Sequence, residues 1–135
     1  MTYAAIVDLI QETATAAGAG SFWVGEKTKQ DINYNAAFPQ VYLFEMPSTL
    51  VGTSVETVCT MAFYGKDEHE NGTADSVNIQ DAMDLLSQRF ISLLREADEA
   101  EVAPRVDRGP ILRKGATIGT GFVCVFKLTT LSDAC

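Results

Sequence analysis

Residues 77–97, VNIQDAMDLLSQRFISLLREA, and residues 53–64, TSVETVCTMAFY, decide between them what kind of fold this chain adopts. In the first stretch Ile79, Met83, Leu86, Phe90, Leu93 and Ala97 recur every three or four residues, while Asp81, Asp84, Gln88, Arg95 and Glu96 take most of the other side. That period predicts an amphipathic helix, preceded by several possible caps from Thr73 to Ser76. Some 20 residues at about 1.5 Å each form a rod of about 30 Å, long enough to cross a small sheet. In the second stretch the period drops to two. Val55, Thr57, Cys59, Met61 and Phe63 alternate with Ser54, Glu56, Val58, Thr60, Ala62 and Tyr64, which predicts a strand facing a core on one side.

Toward the N-terminus, Thr2 is placed to cap a first helix with apolar positions Ile6, Leu9, Ile10, Thr13 and Ala17, stopped by Gly18-Ala19-Gly20. Phe22-Trp23-Val24 reads as a short aromatic strand and Glu26 to Asn35, without period, as a loop. Pro39 to Glu45 reads as a short, largely buried strand with Pro at its entry. Met46-Pro47-Ser48-Thr49-Leu50-Val51 then puts Met46, Leu50 and Val51 in what reads as an exposed connection, where apolar groups mark either a contact surface or a loop tucked against its own sheet.

Toward the C-terminus, Gly65 to Gly72 reads as a charged turn, and Val102 to Val106, interrupted by Pro104, as an edge strand or a bulge. Arg108-Gly109-Pro110 and Lys114-Gly115 punctuate the chain. A last strand runs from Thr117 to Leu131, with Ile118, Thr120, Phe122, Cys124, Phe126 and Leu128 on one face. At about 3.4 Å per residue it would span about 50 Å, more than the about 37 Å expected across a domain of this size, so the arm is expected to outrun its core. Short loops between β segments favour antiparallel pairing. The order predicts one α+β domain over residues 1–135, a mainly antiparallel sheet with the long helix and the short N-terminal helix packed on one face.

Composition excludes several classes. With 47% hydrophobic and 21% charged residues among 135, the chain is neither disordered nor collagenous. A net charge of −8 is the wrong sign for tight non-specific binding to nucleic acid, which works by releasing counterions from phosphates. No apolar run reaches the about 18 residues of a membrane span, and the opening stretch lacks a basic leader, so neither secretion nor membrane insertion is expected. Cys59, Cys124 and Cys135 are odd in number and lack a CxxC, so core packing is expected for the first two and a frayed terminal thiol for the third.

Little in the chain points to catalysis. The only histidine, His69, lies with Asp67 and Glu70 in a charged turn that reads as solvated rather than as a metal site. No serine or cysteine sits in a nucleophile elbow, and Gly18, Gly20 and Gly25 follow a helix, the reverse of a nucleotide-binding turn. Asp81 and Asp84 read as part of a solvated helix face. No catalytic residue, cofactor or metal is expected.

Charge is distributed unevenly. From Gly65 to Glu101 there are ten acidic side chains against three basic ones; from Pro104 to Gly115, Arg105, Arg108, Arg113 and Lys114 face Asp107 alone. Two readings fit: solvated turns of opposite sign, or a basic hairpin that meets Asp98, Glu99 and Glu101 of a neighbouring subunit in a head-to-tail contact.

The order and size of these elements, from the helix at Thr2 to Ala17 through the strands at Phe22 to Val24, Pro39 to Glu45 and Thr53 to Tyr64, the helix from Val77 to Ala97 and the closing strand, resemble the tail terminator (tail completion) proteins of long-tailed bacteriophages. The resemblance covers almost the whole chain and rests on no short motif. It implies a virion structural protein of the tail–neck region, assembled in the host cytoplasm as a homo-oligomeric, hexameric ring. Such a ring caps the tail tube, contacts the major tail tube protein on one side and a neck or head-completion protein on the other, and passes DNA as cargo through its lumen. It implies no membrane and no catalysis, and the excess acidity would suit a lumen that repels phosphate. Another neck, connector or baseplate component is the alternative within the same particle. A small ligand-binding α+β module, with a pocket under the long helix near Trp23, Tyr42, Tyr64 and His69, is the alternative outside it.

Overall fold

The computed structural model describes residues 1–25, 37–66, 72–111 and 120–133, with the backbone alone over 72–76. Two helices, α1 (Tyr3–Ala17) and α2 (Gly72–Arg95), accompany six strands: β1 (Ser21–Val24), β2 (Gln40–Leu43), β3 (Ser48–Val51), β4 (Ser54–Gly65), β5 (Glu101–Ile111) and β6 (Thr120–Leu131). They form one sheet in the order β1-β2-β4-β6-β5, with β3 paired to β4 beside β2. The fold is α+β and mostly antiparallel, as the change of period predicts.

The central pair is β4 with β6, antiparallel in unbroken register from Ser54↔Leu131 to Gly65↔Thr120. The described length of β6 therefore lies wholly beside β4, and the overhanging arm expected from residues 117–131 is not seen there. Residues 112–119 lie outside the described residues. A Cβ on Gly121 would fall on the Phe63 carbonyl, so glycine is what lets the two strands meet at that rung.

The period-two pattern puts Cys59, Met61, Phe63, Cys124, Phe126 and Leu128 on the face that the helices cover. Leu86, Phe90 and Leu94 press onto it from α2, and Ile6, Ile10, Ala14 and Ala17 from α1. Phe90, fully buried, stands between Phe63 and Phe126 at ring-centroid distances of 5.8 and 6.0 Å. Helix α1 is capped as expected: the Thr2 side chain accepts from the Ala5 N–H, and Gly18 (φ 124°) donates its N–H to Ala14 and Thr15. Arg89 of α2 donates to the Ala17 carbonyl, which fastens the end of α1 to its neighbour.

Four readings change. The far face of β4 is not simply wet, because Ala62 and Tyr64 form a second buried cluster there with Tyr42 and Phe44. β1 pairs parallel to β2, against the antiparallel expectation, since the segment between them is long enough to return the chain. Residues 48–51 are a strand rather than a loop; Gly52 (φ 62°) and Thr53 close a two-residue hairpin, with glycine at the position that requires positive φ. Finally, β5 runs straight through Arg108-Gly109-Pro110, read from sequence as punctuation. Pro104 sits within a register shift between Val102 and Val106, and β5 is an edge strand, so its prolines leave no interior ladder bond unmade.

Phe90→Ala should lower unfolding stability by about 3–5 kcal/mol. Leu85→Ala on the exposed side of the same helix should change it by less than about 0.5 kcal/mol. Urea titration followed by circular dichroism checks both.

Candidate assembly interface

The sequence singles out two surfaces, an apolar connection and a basic segment. Of the first, Met46 is a core residue, 6% exposed, with the Cys59 thiol 3.6 Å from its sulfur. It belongs to the interior because the chain dips inward between β2 and β3 before the hairpin emerges, so it is not a contact residue. Leu50 and Val51 are 70% and 53% exposed, near the end of the β3–β4 hairpin. Leu131, which the sequence reading did not single out, joins them at 70% exposure. Ser54 pairs with both Val51 and Leu131, so these two side chains flank it on one face, while Leu50, opposite Val55, stands on the other face at the same end of the sheet. The Ser132 N–H donates to the Thr53 carbonyl at 2.8 Å, and the Met1 amino group contacts the Leu131 carbonyl and lies 3.3 Å from Asp133. The exposed apolar end is thus held by backbone from three segments.

Of the basic segment, Arg113 and Lys114 lie outside the described residues, as do His69 with Asp67 and Glu70. Arg105 is exposed and paired with Asp107 at 3.0 Å. Arg108 is committed within its own chain. It makes an ion pair with Asp84 of α2, reaches Ser87 Oγ at 3.3 Å and stacks its guanidinium 5.0 Å from the centre of the Phe122 ring. Both members of the ion pair are a little over a quarter exposed, so it is a partly sheltered clasp between β5 and α2. Asp84 is accordingly not a free carboxylate on a wet helix face. Arg95, in the last turn of α2, donates to the carbonyls of Ala103 and Pro104, a second tie between the same elements.

Between these ties lies a groove of about 480 Å³, lined by Arg95 and Arg108 together with Ile91, Pro104 and Val106. Asp98 and Glu99, in the turn after α2, and Glu101, at the start of β5, are exposed on the same flank as the arginines. Trp23, Tyr42 and Tyr64 do come together, Trp23 stacked on Tyr42 at 6.3 Å and Tyr42 edge-on to Tyr64 at 5.7 Å. They belong to the sheet face opposite the helices, not to a pocket under α2.

The Cys59 and Cys124 thiols are free and buried, and burial pushes both up to about 12. Burial, with the nearby Tyr42, also pushes the Tyr64 phenol up. Among the described residues, no three His, Cys, Asp or Glu side chains are grouped as a metal site requires, and no helix is long and apolar enough to cross a membrane. Set against known proteins, the chain matches no family model and no curated protein.

In a double-mutant cycle, Asp84→Ala and Arg108→Ala should show a coupling of about 1 kcal/mol in urea unfolding, weaker in high salt. The raised thiols give the pH dependence its sign. The unfolded chain ionises them near 9.0, before the folded one does near 12, so their contribution is complete below pH 9 and is lost as pH rises toward 12. Thermal unfolding across that range should show the fall, and iodoacetamide should label both thiols only when urea is present.

Proposed function

We propose that the chain is a ring-forming structural protein of a bacteriophage tail, a tail terminator that caps the tail tube and joins it to the neck, with DNA passing through the ring. The observation that carries this reading is the exposed apolar end of the sheet. Leu50, Val51 and Leu131 stand out from a core that is already closed without them. A protein that stays alone in water has little reason to hold such side chains rigidly outward on a paired hairpin; one that docks on a copy or a tube ring does. The chain's charge of −8 supports the same reading, since a ring that passes DNA must not hold its phosphates.

Negative-stain electron microscopy of the purified protein, alone and added to tail tubes, tests the proposal together with labelling of the chain in intact particles. Rings, or caps at one end of the tubes, are expected. Label found elsewhere on the particle would make the chain a different neck or baseplate component, and label found nowhere on it would end the proposal. Leu50→Asp combined with Val51→Asp should reduce ring or cap formation about tenfold or more, while the melting temperature of the monomer stays within the small range of surface substitutions.

A further inference from the structure

The assembly reading leaves open which surfaces meet between neighbouring copies, and the fold supplies a matched pair. We propose that the outer face of α1 in one copy, carrying Asp8 and Glu12, seats on the groove between α2 and β5 of the next copy, opposite Arg95. This inference rests on the assembly reading and deepens it.

The two surfaces are complementary in charge. Helix α1 contains no lysine or arginine, and its face away from the core presents Asp8, Gln11, Glu12, Thr15 and Ala16, spaced i, i+3, i+4, i+7 and i+8. Two carboxylates are therefore displayed among small or uncharged side chains that let another surface approach. The groove shows the complement: Arg95 and Arg108 line it together with Ile91, Pro104 and Val106, and no acid is among the described residues of its lining. Of the arginines, Arg108 is already neutralised by Asp84, whereas Arg95 is tied to backbone carbonyls and meets no carboxylate among the described residues.

They are also placed apart on the molecule. Gln88, Ile91, Ser92 and Arg95 fall on one side of α2 by their i, i+3, i+4, i+7 spacing and line the groove. Leu86 and Arg89 meet the end of α1 on the other side of the same helix. The acidic face and the groove therefore lie on opposite flanks of the molecule, as a head-to-tail contact requires if it is to repeat and close. The pairing expected from sequence sets Arg105, Arg108, Arg113 and Lys114 against Asp98, Glu99 and Glu101; its described members all lie on β5 or the turn leading into it, hence on the same flank. Such a pair suits a two-fold contact rather than a repeating one. Nor does β5 offer backbone pairing instead, because Pro104 and Pro110 lack the N–H that an added strand would use.

Cysteine cross-linking and charge reversal test the contact with the full chain in a Cys135→Ser background, where Cys59 and Cys124 are too buried to interfere. Carrying Gln11→Cys and Ser92→Cys together, the protein should form a ladder of disulfide-linked copies on mild oxidation; either substitution alone should give none. Asp8→Lys with Glu12→Lys should weaken assembly about tenfold or more, Arg95→Glu should do likewise, and the combination should recover most of the loss. Melting temperatures confirm that each variant folds, and the Ser92 cross-link stands independently of Arg95. Rings or caps that form normally in every variant without a cross-link would overturn this contact and leave the ring reading intact. A protein that stays monomeric at every concentration and never binds tubes would overturn both.

Discussion

Phe90 stands between Phe63 and Phe126, and on that contact the rest of the molecule depends. Its ring comes from the middle of the long helix; the other two come from the central strands, on the face where an alternating pattern gathers every second side chain. Offset and tilted rings at about 6 Å fill volume that aliphatic side chains would leave partly open. Once α2 is pinned there, the neighbouring turns of the helix have only one strip of sheet to cover. Leu86 and Leu94 follow, and α1 closes the remaining side through Leu86 and Arg89.

The sheet treats its edges differently. β5 is made unattractive to further strands by two prolines, a register shift and the charged residues Arg105, Asp107 and Arg108. β3, by contrast, is Ser-Thr-Leu-Val with all four residues exposed and no charge or proline within it. The hairpin that carries it is short, which limits the edge, yet its apolar side chains remain in the open. The two edges thus differ in what they present to solvent, and the proposed assembly draws on the apolar one.

Electrostatics is arranged in the same selective manner. The basic segment that looks free along the sequence is partly consumed within the fold: Asp84 and Phe122 hold Arg108, and Asp107 holds Arg105. What stays available is set by which flank a residue lands on. Arg95 closes α2 onto β5 and still faces outward, while the carboxylates of α1 lie across the molecule, beyond the helix pair.

By itself the sequence determined most of the elements, β3 and the outer half of β5 excepted. The caps of α1, the long helix, the alternating β4 and β6 and the edge character of β5 were all legible, because each depends on period, on proline or glycine, and on polarity within a dozen residues. Only tertiary structure decided the rest. Met46 and Leu50 are four residues apart and equally apolar, yet one is buried beside Cys59 and the other stands in solvent, a difference fixed by where the hairpin turns relative to the helices. The hairpin itself left a faint local trace in Gly52-Thr53. The clasp of Arg108 with Asp84, the grouping of Leu131 with Val51, the parallel β1 and the groove beside α2 left none. Each joins residues distant in the chain, and pairing at such range follows from strand order and register, which no local pattern encodes.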